Sequence, residues 1–197
     1  MKIVAFEGPS YAGKTTAIAS IASHDPHVVV FDCYVRVLPR QDVPPARTHS
    51  RSEQLAAFEL FMTVECERVR HIAELVATGS PPRVIILDRS VDTLLAHAHT
   101  LDVLFGMDVL DPIAKRLAEL PHLVPDVTLY LDADTATLHT RRAADGSAGD
   151  YFLHEPRFLR PWRDYFSDSS TKVTQHIEWI DASGPAAEVA AAVRGLL

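Results

Sequence analysis

The run Gly8-Pro9-Ser10-Tyr11-Ala12-Gly13-Lys14-Thr15 constrains this chain more than any other segment. It reads Gly-x-x-x-x-Gly-Lys-Thr, the pattern of a phosphate-binding loop. The apolar Ile3-Val4-Ala5-Phe6 before it reads as a strand, and Ala17-Ile18-Ala19-Ser20-Ile21-Ala22 after it as the start of a helix. That strand–loop–helix setting is the context the motif requires. The two glycines let the backbone turn so that successive N–H groups, from Ser10, Tyr11 and Ala12 through Gly13 to Thr16, face phosphate oxygens. The helix N-terminus adds free donors and partial positive charge. Lys14 is expected to reach the β- and γ-phosphates, and the Thr15 hydroxyl to hold Mg²⁺. A nucleoside triphosphate, ATP, is the expected ligand.

Strand and helix signals alternate along the rest of the 197 residues. Strands are read at Val28–Phe31, Val84–Leu87, Val127–Leu131 and Ile177–Ile180. A long helix runs from Glu53 to about Ala77, with Ser52 as its N-cap and apolar positions Leu55, Phe58, Phe61 or Met62, Val69, Ile72 and Val76. Further helices are read near Val91–His99, Pro112–Leu120, Thr135–Arg142, Glu155–Phe166 and Pro185–Leu197. Residues Val35–Ser50 read as an irregular loop. Ala143–Asp150, small and polar, reads as part of a flexible lid spanning about 143–157. Alternating strands and helices imply one α/β domain over 1–197, a parallel sheet covered on both faces. Ligands then bind at the carboxyl ends of the strands. The phosphate loop, Asp32 and Asp88-Arg89 all fall on such ends.

A net charge of −7 argues against a nucleic-acid-coating surface, so anionic ligands must be held by local donors. Cys33 and Cys66 sit in no metal-ligand spacing and are expected as idle thiols. No apolar stretch reaches transmembrane length, and the chain enters a strand directly. The expectation is a cytoplasmic protein with no membrane or nucleic-acid partner.

Several side chains are candidates for chemistry. Asp88 closes a buried strand beside the loop and suits Mg²⁺, directly or through water; its plainer role is a helix N-cap. Arg89 suits bidentate capture of a phosphate, against a plain surface ion pair. Arg68 lies on the long helix, where charge usually faces solvent or pairs with Glu65. Asp32 would serve a hydroxyl acceptor as a base, whereas a phosphate acceptor is already an anionic nucleophile. No arginine lies in the phosphate loop, so Arg141, Arg142, Arg157, Arg160 and Arg163 flanking the lid are the expected source of transition-state charge, with Arg141 and Arg142 foremost; five cannot all act, and most are expected as solvated helix charges. His97-Ala98-His99 would put two rings on different helix faces, which disfavours a metal site. Trp162, Tyr165 and Phe166 read as core.

These segments together resemble the thymidylate kinase and deoxynucleoside kinase superfamily. Phe6-Glu7-Gly8 with Ala12-Gly13-Lys14-Thr15-Thr16 is similar to the family's opening, Glu67-Arg68-Val69-Arg70-His71 to its Asp-Arg-x-x-His helix segment, and Asp88-Arg89-Ser90-Val91-Asp92 to its Asp-Arg-Tyr-Val segment. Pro125–Asp132 resembles the strand before the lid helix, and Ile180-Asp181-Ala182-Ser183 the last strand and turn. The resemblance implies a five-stranded parallel sheet, a homodimer, a lid with catalytic arginines, and acceptor contacts from Arg89 and Arg68. It also shows departures. Ser10 stands where thymidylate kinases carry Asp. Val64 stands where their thymine-stacking Phe lies, with Phe61 one turn earlier as a substitute. Asp32-Cys33-Tyr34-Val35-Arg36 replaces their Glu-Pro-Gly-Gly. Ser90 and Asp32 are similar to features of deoxynucleoside kinases.

The expected function is therefore ATP- and Mg²⁺-dependent phosphoryl transfer to a small nucleotide-type acceptor, as in a nucleoside monophosphate kinase. Two alternatives stay open at this point: a deoxynucleoside or other hydroxyl kinase with Asp32 as base, and a nucleotide-binding protein without transfer.

Overall fold

The computed structural model describes residues 1–45, 47–48, 50–79, 81–146 and 152–196. In chain order its elements are β1 (Lys2–Glu7), α1 (Lys14–Ala22), β2 (Val28–Phe31), α2 (Tyr34–Val37), α3 (Arg51–Ala77), β3 (Val84–Asp88), α4 (Val91–Phe105), α5 (Leu110–Ala118), β4 (Val127–Asp132) and α6 (Thr135–Ala144). A 3-10 turn (Phe152–His154), α7 (Pro156–Asp168), β5 (Ile177–Asp181) and α8 (Ala186–Arg194) complete it. The five strands form one sheet in the order β2-β3-β1-β4-β5, every pair parallel. This is the expected α/β architecture. The core of the lid, residues 147–151, lies outside the described residues.

The central strands are apolar throughout because both faces are covered. Val4, Phe6, Ile86, Leu129 and Leu131 pack with Ile18, Ile21, Val189 and Val193 on the side of α1 and α8. Ala5, Ile85 and Leu87 face Ile72 of α3 on the other. Tyr130 joins a larger cluster with Phe58, Leu95, Leu101, Tyr165 and Phe166, built from α3, α4 and α7. Asp92, buried in α4, ties this layer together. Its carboxylate accepts from the Tyr165 hydroxyl (2.8 Å) and from the backbone N–H groups of Val173 (2.8 Å) and Thr174 (2.9 Å).

Several boundaries differ from the sequence reading. The N-cap of α3 is Ser50, not Ser52: Ser50 Oγ accepts from the Glu53 N–H, and Glu53 Oε2 accepts from the Ser50 N–H at 3.0 Å. This reciprocal capping box satisfies two otherwise orphaned donors, which a serine at position 52 has no partner to do. Helix α4 continues to Phe105, where Gly106 adopts the left-handed conformation that ends it. The stretch read as loop holds one helical turn, α2. Val76, expected on the apolar face of α3, is exposed at the helix end.

Candidate active site

The phosphate loop leaves β1 at Gly8, whose φ is 120°. A side chain at that position would overlap the Leu131 carbonyl of β4, so only glycine lets the loop pack on the sheet. Gly13 is the left-handed N-cap of α1, at φ 95°. Lys14 opens the helix and is buried, its Nζ donating to the carbonyls of Gly8 (2.9 Å) and Pro9 (2.7 Å). Burial and the nearby Arg89 cation push Lys14 down to about 7; Asp88 and Glu7 oppose the shift only in part.

Two cavities meet at this loop. A cleft of about 990 Å³ is lined by residues 10–16 together with Arg36, Asp88, Arg89, Arg141, Arg142, Asp145 and His154. Basic side chains dominate it in a chain of net negative charge. A second cavity of about 300 Å³ lies between α3, α4 and α7, walled by Phe58, Phe61, Leu94, Ile113, Phe158 and Trp162, with Gln54 and His97 as polar members. Ser10, Cys33, Val35 and Arg89 line both, so the cavities adjoin.

Arg89 is the residue at the junction. Its backbone is held at φ 74°, a left-handed conformation that strains an arginine. Its N–H donates to the Phe6 carbonyl (3.1 Å), which fixes that turn at the end of β3. The guanidinium donates to Thr93 Oγ1 (3.3 Å), lies 3.7 Å from Glu7 Oε2, and stands 5.5 Å over the Trp162 ring. Glu7 is wholly buried, and accepts from the Ser90 N–H (2.8 Å), the Ser90 hydroxyl (3.0 Å) and the Thr93 hydroxyl (2.5 Å). Desolvation raises its pKa, and the Arg89 charge opposes that rise. Ser90, not Asp88, caps α4, leaving the Asp88 carboxylate for the cleft.

The other expected residues separate clearly. Arg141 and Arg142 line the cleft; Arg141 donates to the carbonyls of Tyr11 (3.2 Å) and Gly184 (2.7 Å). Arg157, Arg160 and Arg163 do not line it and pair with Glu155, Asp164 and Asp132. Phe61 walls the second cavity, edge-on to Tyr34, while Val64 is buried in the core and lines neither cavity. Trp162 belongs to the core, as expected, and also lines the second cavity, its indole N–H buried without a partner among the described residues. Asp32 is exposed and lines neither cavity.

Arg68 is neither solvated nor at a cavity wall. It is buried beneath the junction, where Nη1 donates to Glu65 Oε2 (3.1 Å) and the Arg89 carbonyl (3.0 Å), and Nη2 to the Asp32 carbonyl. It stacks 4.2 Å over Tyr34, whose hydroxyl also donates to Glu65 (2.8 Å). It therefore braces the ends of β2 and β3. Arg36 and Glu7 were not singled out by the sequence; Glu7 ends β1, the same signal that selected Asp88, whereas Arg36 lies on the α2 turn, in a stretch read as loop.

The donor set fits a hard divalent cation. Thr15 Oγ1 and the Asp88 carboxylate line the same cleft, and a cationic side chain, Arg36, reaches both. Among the described residues no group of three or more His, Cys, Asp or Glu would hold a metal unaided, which suits an ion that brings phosphate oxygens with it.

No family model matches the chain. A thymidylate kinase of Psychrobacter sp. (strain PRwf-1) is 26% identical over 208 residues, covering 96% of this chain and 93% of the relative. Among solved structures, a thymidylate kinase from Candida albicans superposes with a TM-score of 0.70 at 19% identity, covering 99% of this chain and 90% of its own. A deoxyadenosine kinase from M. mycoides with bound dATP gives 0.70 at 15% identity, covering 98% of each chain. These structural likenesses carry the fold, and the sequence relative spans nearly the whole of both chains. No described helix is long and apolar enough to cross a membrane.

Proposed function

We propose that this chain, a thymidylate kinase-like P-loop kinase, moves the terminal phosphoryl group of ATP to a nucleoside monophosphate. The observation that carries the choice of acceptor is the lining of the smaller cavity. Its walls are aromatic and aliphatic, Arg89 stands at its mouth, and no Asp or Glu lines it among the described residues. A flat apolar ring with an anionic tail fits that chemistry. A monophosphate is already a nucleophile, whereas a hydroxyl acceptor gains from a carboxylate within reach of its proton. Asp32, the residue that would play that part, is exposed and lines neither cavity, although its neighbour Cys33 lines both.

In this reading the N–H groups of Ser10 to Thr16 hold the donor phosphates, and Lys14 follows the charge as it moves. Thr15 and Asp88 would hold Mg²⁺, which would supply positive charge against the negative charge of the phosphates. Arg89 receives the acceptor phosphate at the junction. Phe61 and Trp162 offer ring faces to the base. Arg141 or Arg142 stabilises the equatorial oxygens from the lid side, and the lid excludes water so that transfer outcompetes hydrolysis. Arg68 acts through Arg89 and Asp32, whose carbonyls it holds.

Calorimetric titration of dTMP and thymidine into the chain tests this assignment. The monophosphate binds at least about tenfold more tightly, through a charge-assisted pair with Arg89. Equal affinities, or tighter binding of the nucleoside, contradict it.

A further inference from the structure

Arg36 occupies an unusual place for a side chain of the β2–α3 connection. It sits on the single turn α2, and its guanidinium reaches across the donor cleft. Nη2 donates to Thr15 Oγ1 at 3.3 Å, and Nη1 lies 3.8 Å from Asp88 Oδ2. Those two oxygens come from different elements, the phosphate loop and the end of β3. They are the same two that suit the divalent ion.

We propose that Arg36 is a built-in cation that holds the metal position of the nucleotide-free chain and competes with the divalent ion for it. This rests on the kinase reading for the identity of the ion, but not on turnover. One positive charge placed between a carboxylate and a hydroxyl does part of what a metal does there. It offsets the Asp88 charge while no phosphates are present. The contacts are loose: the Arg36 side chain is 52% exposed, and such pairs shift an equilibrium by about fivefold or less.

That magnitude decides who wins. Thr15 and Asp88 alone offer a divalent ion two protein ligands, a poor site for an ion that gives up its waters reluctantly. A weakly held arginine is enough to lower the ion's affinity for such a site several-fold. It is not enough to exclude an ion that arrives already bound to triphosphate, because that complex adds the loop N–H groups and Lys14. Arg36 thus orders the events: metal enters with the nucleotide rather than before it. Tyr34 of the same turn is anchored to Glu65, which fixes the base of the turn that carries Arg36, while the Arg36 side chain itself is half exposed.

The test is Mn²⁺ binding to the full chain without nucleotide, followed by electron paramagnetic resonance. Arg36→Gln binds Mn²⁺ about fivefold more tightly than the unsubstituted chain, the equivalent of one exposed ion pair. Adding Asp88→Asn to Arg36→Gln removes the gain, which ties it to this position. A thermal melt of each variant establishes that it is folded. Unchanged Mn²⁺ affinity in folded Arg36→Gln, or a gain that survives Asp88→Asn, overturns the proposal. A chain that shows the gain yet phosphorylates nothing would fail only the kinase reading.

Discussion

Arg89, at the junction of the two cavities, is backed by Glu7, its guanidinium 3.7 Å from a carboxylate that no solvent reaches. The pair explains why a strained backbone persists at φ 74°. Glu7 holds the Ser90 and Thr93 donors that open α4, and Arg89 balances the charge so buried. Arg89 keeps its outer face for a ligand because Glu7 engages it from behind.

Replacing Glu7 with Gln tests that arrangement. The amide cannot accept from all three donors, so a buried donor loses its partner at a cost of about 2 kcal/mol. Chemical denaturation should read that loss. Transfer should fall by about tenfold or more in kcat/KM, because Arg89 is then held without its counter-charge. A variant as stable and as active as the original would remove Glu7 from the site.

Lys14 supplies a pH signature. Its pKa in the folded chain is about 7, below the 10.5 of a free lysine. Between these values the unfolded chain binds more protons than the folded one. This residue therefore makes stability rise with pH from about 7 toward about 10.5, and Lys14→Met flattens that rise. Ligand phosphates reverse the shift, so at pH 8 binding of ATP takes up about one proton at this residue. Calorimetry in buffers of different ionisation enthalpy reads the uptake. Lys14→Met should show none of it and should transfer phosphate about 10²-fold more slowly or worse.

Arg68 distinguishes bracing from binding. Arg68→Met leaves Glu65 buried without its cation, at a cost of about 3 kcal/mol. The melting midpoint should fall by about 6–12 °C. A direct acceptor contact would instead raise KM with an unchanged midpoint.

Asp32→Asn separates the acceptor classes. The side chain is exposed and only its carbonyl is engaged, so transfer to a monophosphate should stay within about twofold. A loss of about 10²-fold or more would make Asp32 the base of a hydroxyl kinase.

Much of this molecule is legible in its residues, and the reasons are local. The phosphate loop declares itself because Gly8 and Gly13 answer to backbone geometry, and β3 because a run of apolar residues needs cover on both faces. The rule that strand ends carry sites selects Asp88 and Arg89, and both stand at the end of β3 on the wall of the larger cleft. For Arg68 the sequence offers the pairing with Glu65 but not the network around it: Glu65, Arg68 and Tyr34 satisfy one another only once α3 lies against the β2 and β3 ends, which helix periodicity does not reveal. Trp162 read as core for a similar reason. Its burial is real, but the wall it forms appears only when α7 meets α3 and α4.

The most direct measurement is ADP release from Mg-ATP with dTMP, other nucleoside monophosphates and the matching nucleosides side by side. Turnover with a monophosphate, absent with its nucleoside and lost in Lys14→Met, is the predicted result. Turnover with nucleosides alone, or none with any acceptor, would contradict it.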